Sequence, residues 1–383
     1  MNDIYLDHAA TTPLHPAVID KMTQEMNETF GNPSSIHSFG RKAHKKLEQA
    51  RQLIAQSLQV NPEEIIFNSG GTEGANTAII ETALSHKAIG KHIITTMIEH
   101  PAVLKTMNYL EKLGYEITYL PVDSAGNLTV SDFKAALRKD TILVSIMYGN
   151  NEVGTLMPIQ KIGDILTDSS TIFHTDAVQA YGHETILPKK LGIDLLSVSA
   201  HKINGPKGVG FLYKDKQVAL PPLLHGGSQE DRRRAGTENI PGIIGIGQAI
   251  SLLTQEEQQK RKNSYQAFQQ QILEQLDQAA IAYQINGDPQ NKLAHILNLW
   301  FPGIPSHLLV TYLDLNGIAV SAGSACSSGN TQPSHVFEAM YGKEHPANTE
   351  SIRISFGLNN QLSDIKLMTE ILIASIKKIK AKK

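Results

Sequence analysis

The stretch Leu195-Leu196-Ser197-Val198-Ser199-Ala200-His201-Lys202 begins with apolar residues and ends on polar and basic side chains. A tight turn, Gly205-Pro206-Lys207-Gly208, separates it from a second apolar run at 209–213. Upstream, 172–176 is a similar run that ends on a carboxylate, Asp176. Apolar runs bounded by glycine and proline are typical of strands. The pattern therefore predicts strands that carry Asp176 and Lys202 at their carboxyl ends, where open α/β sheets form their ligand crevice.

The first two thirds of the chain alternate between short β-rich runs and helical patterns. Such alternation is typical of a mostly parallel sheet covered by helices. We therefore predict the α/β class, with a mostly parallel seven-stranded sheet flanked by helices in a large domain. The runs lie at 64–67, 92–96, 116–120, 141–146, 171–175, 194–198 and 209–213.

The last third has a different pattern, which predicts a smaller α+β domain. A long helical pattern extends from about 241 to 280. Strands near 295–301, 317–321 and 351–355, a helix near 306–315 and a final amphipathic helix follow it. We expect a large domain at 15–260 and a small domain made of 1–14 and 261–383.

Composition excludes several classes of protein. The chain has 383 residues, 41% of them hydrophobic, and its 35 basic and 37 acidic residues nearly cancel. We therefore expect neither a nucleic-acid surface nor a membrane surface. One cysteine cannot form an intrachain disulfide, and no apolar run reaches the roughly 20 residues that cross a bilayer. The sequence predicts a soluble, cytoplasmic protein, and we assign no metal site.

Three local features indicate a bound phosphate cofactor. Lys202 and Asp176 have the chemistry of a pyridoxal-phosphate (PLP) site, which needs a lysine for the Schiff base and an acid beside the pyridine nitrogen. The turn Gly70-Gly71-Thr72 lies between a strand and a helix, where backbone N–H groups bind anions. His100 follows the next strand and can stack on an aromatic ring. Each feature alone also has a plainer interpretation: a surface lysine, an ordinary strand-to-helix turn and a structural histidine.

Taken in order, these and further motifs resemble the cysteine desulfurases of the class V aminotransferase group, which are fold type I PLP enzymes. The resemblance is to the NifS/IscS type and its long-loop class, and it covers essentially the whole chain. The motifs are Tyr5-Leu6-Asp7-His8-Ala9-Ala10-Thr11-Thr12, Gly31-Asn32-Pro33-Ser34-Ser35, the glycine turn with Thr72, Asn150-Asn151-Glu152-Val153-Gly154, 174–179, Ser199-Ala200-His201-Lys202, Arg234-Ala235-Gly236-Thr237-Glu238-Asn239, Ser324-Ala325-Cys326 and Ile352-Arg353-Ile354-Ser355.

The resemblance implies a role for each matching position. Lys202 would be the Schiff-base lysine and the base at the substrate Cα, Asp176 the pyridinium partner, and His100 a stacking and catalytic residue. The other cofactor-binding residues would be Gly71, Thr72, Asn151, Gln179, Ser199 and His201, with Thr237 supplied by the second subunit of a homodimer. Asn151 and Arg353 would bind the substrate carboxylate.

Cys326 decides the reaction that we predict. It lies between Ser324-Ala325 and Ser327-Ser328-Gly329, in a stretch with almost no large apolar side chain, which predicts a loop. The resemblance implies that the Cys326 thiolate takes sulfur from L-cysteine, leaves L-alanine, and passes its persulfide to an acceptor. The acceptor would be an iron–sulfur scaffold protein or a tRNA-thiolation enzyme. Selenocysteine lyase, aminotransferase and a kynureninase-like hydrolase stay open as alternatives within the same fold.

Overall fold

The computed structural model describes residues 3–322 and 334–381. Its strands are β1 (Ile4–Tyr5), β2 (Ile65–Asn68), β3 (His92–Thr96), β4 (Glu116–Leu120), β5 (Thr141–Ser145), β6 (Ile172–Asp176), β7 (Leu195–Ser199), β8 (Gly210–Lys214), β9 (Gln284–Asn286), β10 (Ile296–Trp300), β11 (Ile318–Ala319), β12 (Ser321–Ala322) and β13 (Ser351–Ser355). Its helices are α1 (Pro16–Glu28), α2 (Ser38–Leu58), α3 (Gly71–Asn76), α4 (Thr82–Ser85), α5 (Pro101–Lys112), α6 (Val130–Ala136), α7 (Ile159–Leu166), α8 (Pro188–Leu191), α9 (Gln229–Arg232), α10 (Ile240–Ser251), α11 (Gln255–Gln278), α12 (Ser306–Asp314), α13 (His335–Tyr341), α14 (Ala347–Glu350) and α15 (Leu362–Lys380).

The large sheet contains all seven predicted strands, in the order β2-β8-β7-β6-β5-β3-β4. β8 is antiparallel to both of its neighbours, and the remaining pairs are parallel. The predicted α/β class and the mostly parallel sheet are confirmed. The bounds at 92–96 and 116–120 agree with the prediction, and each of the other five differs by one residue at one or both ends.

Both faces of this sheet are buried, because successive strand residues point to opposite faces. Ile94 and Val144 belong to the core on the side of α2 and α10, whereas their neighbours Ile93 and Leu143 pack on the opposite side with α5. The central strands therefore pack against helices on both faces, which explains their near-continuous apolar runs, whereas the edge strand β4 is only partly buried. α3, a π-helical turn at Thr77–Glu81 and α4 follow one another without a break.

The second unit is a four-stranded antiparallel sheet, in the order β12-β13-β10-β9. Its own core joins β10 and β13 to α11, α12 and α15. β1 pairs in parallel with β11. Ile4 of β1 and Leu6, which directly follows β1, lie in this second core. Phe337 of α13 instead packs in the core of the large sheet. The domain limits at 14/15 and 260/261 stay a prediction, and the second falls within α11.

Three local expectations differ from the structure. The strand predicted near 317–321 is two short strands in different sheets, β11 beside β1 and β12 beside β13. The helical pattern at 241–280 is two helices, α10 and α11, because Thr254 adopts an extended backbone and its side chain accepts a hydrogen bond from Glu257 N as an N-cap. The pattern also gave no sign of β9, a short edge strand next to β10. Within the described residues, no helix is long and apolar enough to cross a membrane.

Candidate active site

A cavity of about 440 Å³ opens at the carboxyl ends of the parallel strands. Its volume is in the usual range for a small-molecule site. The structure brings together ten of the predicted site residues around it: Gly71, Thr72, His100, Asn151, Asp176, Gln179, Ser199, His201, Lys202 and Arg353.

Lys202 enters the cavity from a 3₁₀ turn, Ala200–Lys202, directly after β7. Its Nζ donates hydrogen bonds to the carbonyl oxygens of Ala9 and Ala10, the latter at 2.8 Å. The amine is therefore aimed by the N-terminal segment. Sequence reasoning assigned no individual role to Ala9 and Ala10, although both lie in the Tyr5–Thr12 motif.

Asp176 and His100 lie on the same side of the cavity. Burial raises the pKa of the Asp176 carboxyl, and the nearby His100 opposes that rise; Asp176 Oδ1 also accepts Val178 N at 2.9 Å. His100 is the N-cap of α5, and its Nδ1 accepts a hydrogen bond from Ala102 N at 3.1 Å. Because a backbone N–H only donates, the ring proton of neutral His100 is on Nε2. Burial lowers the pKa of His100, which favours that neutral form.

The glycine turn forms another part of the cavity wall. Gly70 has φ 143°, which L side chains rarely adopt, and a Cβ added to Gly71 would come within 2.5 Å of Val178 Cγ2. Small residues thus let the backbone of α3's first turn approach the cavity, where its N–H groups have no partner within the helix. Thr72 and Ser199 line the same wall. The chemistry of this wall suits an anion.

His201 lies beside this wall and stays neutral at ordinary pH. Its Nδ1 is 3.1 Å from Thr11 Oγ1. Burial and the charges of Lys202 and Lys207 lower its pKa to about 4. Neutral His201 can donate one hydrogen bond from its second nitrogen into the cavity.

Arg353 is buried on β13 at the far side of the cavity. Its Nη2 donates to Asp7 Oδ1 and its Nη1 to Asn151 O, both at 2.8 Å. Its buried Nε has no hydrogen-bond partner among the described residues. A buried unsatisfied donor of a guanidinium is costly, and a carboxylate ligand would satisfy it.

Gln179 links the cavity to a group of buried aromatic residues behind it. Its Nε2 donates to Ala9 O at 2.9 Å, and its Oε1 lies 3.4 Å from His295 Nε2. The His295 ring stacks on His183 with centroids 3.8 Å apart. Since a side-chain amide has two N–H donors, Gln179 keeps one for a ligand.

The other two predicted residues are Thr237 and Cys326. Thr237 is exposed and is absent from the cavity wall of its own chain. Cys326 falls outside the described residues.

Two buried acids near the cavity were missed by sequence reasoning. Glu99 accepts hydrogen bonds from Thr96 Oγ1 and Met147 N, which ties the end of β3 to the segment after β5, and burial raises its pKa to about 8. Glu152 accepts from Ser334 Oγ at 2.5 Å, and burial raises its pKa to about 7. The signal for Glu99 was an acid three residues after the end of β3, next to His100. No metal-binding group of His, Cys, Asp or Glu occurs in residues 3–322 and 334–381.

This chain belongs to the aminotransferase class-V family, whose model matches residues 4–368. A protein of Bacillus subtilis (strain 168) described as "Putative cysteine desulfurase IscS 1" is 52% identical over 99% of this chain and 100% of its own length. "Cysteine desulfurase IscS" of Dictyoglomus turgidum is 46% identical over 99% of this chain and 95% of its own. The predicted membership of the cysteine desulfurase group is confirmed.

Solved structures agree with the fold. A structure described as "NIFS-LIKE PROTEIN" has a TM-score of 0.92 at 34% identity, covering 98% of this chain and 100% of its own. One described as "SspA in complex with cysteine" has a TM-score of 0.81 at 34% identity, covering 92% and 98%.

PLP is the cofactor of this family, and the cavity fits it. The cavity contains a lysine amine, a buried carboxylate and a backbone-lined anion wall, which are the three parts that PLP requires. The room left at Gly71 and the buried carboxyl of Asp176 are properties of this chain alone. The predicted cofactor is therefore confirmed for the family and is consistent with the geometry.

Proposed function

We propose that this chain is a PLP-dependent cysteine desulfurase, which converts L-cysteine to L-alanine and holds the sulfur as a persulfide on Cys326. The observation that carries the proposal is a cavity lined by Lys202, Asp176 and Arg353 in a chain that matches cysteine desulfurases from end to end. The same fold hosts other PLP reactions, so the site and not the fold decides.

The cofactor, when bound, supplies an electron sink for the electron pair released at the substrate Cα. Lys202 would hold its aldehyde carbon and, once released, would move the Cα proton with Nζ. Asp176 would keep the pyridine nitrogen protonated, because a buried carboxylate with a raised pKa is stabilised by a cation beside it. Gln179 would donate to the ring hydroxyl, and His100 would stack on the ring.

Two groups of residues would fix the anions at the ends of the site. Gly71, Thr72, Ser199 and His201 would hold the phosphate from the wall described above. Arg353 and Asn151 would hold the substrate carboxylate, with the orphaned Nε of Arg353 as one donor. These roles are supported by position in the cavity and by the family motifs.

Cys326 would be the sulfur acceptor within the chain. Its thiolate attacks the substrate sulfur, an S–S bond forms, and the Cβ–S bond breaks with its electron pair staying on carbon. Protonation of that carbon and of Cα gives L-alanine, so cysteine and one thiol become alanine and one persulfide. The persulfide would pass to a sulfur-acceptor protein of iron–sulfur assembly or tRNA thiolation.

We further propose a cytoplasmic homodimer in which Thr237 completes the phosphate site of the other subunit. Thr237 is exposed and does not line the cavity of its own chain. An apolar surface formed by Phe30, Ile36 and Phe39 is also exposed, and such surfaces mark protein contacts. Sedimentation measurements test the dimer.

Two substitutions test the division of roles. Cys326→Ala should abolish alanine formation from L-cysteine and keep the cofactor's visible absorbance, whereas Lys202→Ala should lose covalent attachment of PLP and turnover. Lys207→Ala is the matched control, because Lys207 also lines the cavity and its loss should leave the cofactor attached. Turnover by the Lys202→Ala variant, or keto-acid formation independent of Cys326, would refute the proposal.

A further inference from the structure

The segment Glu230-Asp231-Arg232 has a left-handed backbone, with φ values of 47°, 53° and 64°. None of the three residues is glycine, and this region crowds the Cβ of an L-residue against the following carbonyl. Consecutive left-handed residues persist only where surrounding contacts hold them, and such strain is often found at functional sites. The contacts that hold this turn are therefore informative.

A buried ion pair holds the first residue of the turn. Glu230 Oε1 and Oε2 accept Arg51 Nη2 at 2.6 Å and Nη1 at 2.7 Å, a bidentate arrangement. Glu230 Oε2 also accepts Phe67 N of β2 at 2.9 Å. Burial alone lowers the pKa of Arg51, but the hydrogen bonds and charge of Glu230 more than offset this, so its pKa is raised. The pair fixes both the position and the orientation of Glu230.

The chain after the turn is fastened to the glycine wall of the cavity. Arg234 Nε donates to Glu73 Oε1 at 2.9 Å, and Arg234 Nη2 donates to Glu73 Oε2 at 3.2 Å. Gly236 N donates to Gln229 Oε1 at 3.0 Å, which closes the segment on itself. The segment that ends at the exposed Thr237 is thus anchored at Glu230, at Arg234 and at Gly236.

We propose that the Arg51–Glu230 ion pair is a positioning device for the neighbouring subunit: it holds the strained turn 230–232 and so presents Thr237 to the cofactor site of a second copy of this chain. Glu230 touches neither cofactor nor substrate in its own cavity, so it is a positioning residue. The inference rests on the proposed dimeric PLP enzyme.

The first test measures cofactor affinity. Glu230→Gln keeps the size of the side chain and an acceptor for Phe67 N but removes the negative charge at Arg51 Nη1 and Nη2, while Glu48 stays paired with Arg51 Nε at 3.0 Å. We expect the PLP dissociation constant of the apoprotein to rise about tenfold or more in an absorbance titration. Glu64→Gln is the control, because Glu64 is also buried and pairs with Lys189 at 2.7 Å. Glu64 precedes the amino end of β2, whereas the glycine turn follows the carboxyl end of that strand. It should lose stability while its PLP affinity stays within about twofold.

A mixed dimer tests whether the effect acts across subunits. One differently tagged chain has Lys202→Ala and an intact Glu230, and the other has Glu230→Gln and an intact Lys202. Borohydride reduction and mass spectrometry count only PLP attached to Lys202. The Lys202 site then receives Thr237 from the intact turn, and its PLP affinity should return to within about twofold of wild type. Affinity that stays weak would overturn the proposal, because Glu230 would then act within its own subunit.

Gln229→Ala gives a second variant if Glu230→Gln does not fold. It removes the Gly236–Gln229 hydrogen bond without leaving a buried charge, so we expect a rise of about threefold, with the same recovery in the mixed dimer. A wild-type protein that takes up no PLP would refute the proposed function. Equal PLP affinity of the wild type and both variants would refute only the positioning role, whereas a monomeric PLP-bound wild type would refute both this role and the proposed dimer.

Discussion

His100 caps α5 and also lines the cavity, and the chain contains a matched copy of its sequence that only caps a helix. The sequence His-Pro-Ala-Val occurs at 15–18 and at 100–103. In both copies the histidine is an N-cap whose Nδ1 accepts the N–H two residues on, at 3.1 Å. Only His100 also lines the cavity. The local sequence therefore determines the cap, and the position in the sheet determines the function.

Substitutions at His100 should separate these two roles. His100→Asn keeps a good N-cap but removes the ring, so stability should be retained while the PLP dissociation constant rises roughly 3- to 10-fold. His100→Phe keeps a stacking ring but loses the cap, so unfolding free energy should fall by about 1 kcal/mol. Urea denaturation and PLP titration measure the two effects.

His15 provides the control for this pair. His15→Phe should cost a similar cap energy and leave PLP affinity unchanged, because His15 does not line the cavity. Equal PLP affinity of His100→Asn and wild type would contradict the stacking role.

At the scale of elements, the first turn of α3 and the segment after β6 approach each other at one contact. A Cβ on Gly71 would lie 2.5 Å from Val178 Cγ2, closer than carbon atoms allow. Gly71→Ala should therefore push α3 away from Asp176 and cost about 1–3 kcal/mol of stability, with weaker PLP binding. The double variant Gly71→Ala/Val178→Ala makes room and should recover most of both losses. No recovery would mean that Gly71 is required for its backbone freedom and not for this contact.

The left-handed turn in α9 shows what a local pattern does not reveal. Each of its three residues costs about 1–2 kcal/mol relative to a right-handed backbone. The compensation comes from Arg51, which lies 179 residues away from Glu230 in the chain. The Asp7–Arg353 pair is separated by 346 residues in the same way. Such pairs depend on how elements pack, and neither partner has a local signature.

What the sequence did predict follows a simple physical rule. Asp176 is the last residue of β6, and Lys202 and His100 follow β7 and β3 by three and four residues. The carboxyl ends of parallel strands meet at one edge of the sheet. Their convergence therefore follows from strand assignment alone. Ala9 and Ala10 act through backbone carbonyls, which any residue has, so their contact with Lys202 had no side-chain signal.

At the scale of the whole molecule, buried ionisable groups set the response of stability to pH. Burial lowers the pKa of His8 to about 4 and that of His174 to about 3, and lowers the pKa of His295 strongly. Burial acts in the opposite direction on acids and raises the pKa of Glu99 to about 8. For Glu99, the folded state binds the proton more tightly than the unfolded state, so its contribution is lost as pH rises from about 4.5 to about 8. The buried histidines reduce stability as pH falls below about 6.5, and Glu99 reduces it as pH rises towards 8. Together these opposite effects favour a stability maximum near pH 6.5.

The acid side of this maximum is testable at His8, whose ring nitrogens are buried without a hydrogen-bond partner among the described residues. The unfolded chain takes up a proton at His8 near pH 6.5, and the folded chain does so only near pH 4, so stability falls as pH drops through this window. His8→Phe keeps a ring of similar size and removes the titration. Its unfolding free energy should fall less steeply between pH 6.5 and 4, by about 1.4 kcal/mol per pH unit, in urea denaturation. His307→Gln, at an exposed position, should leave the slope unchanged, and an unchanged slope in His8→Phe would show that His8 is already protonated in the folded enzyme.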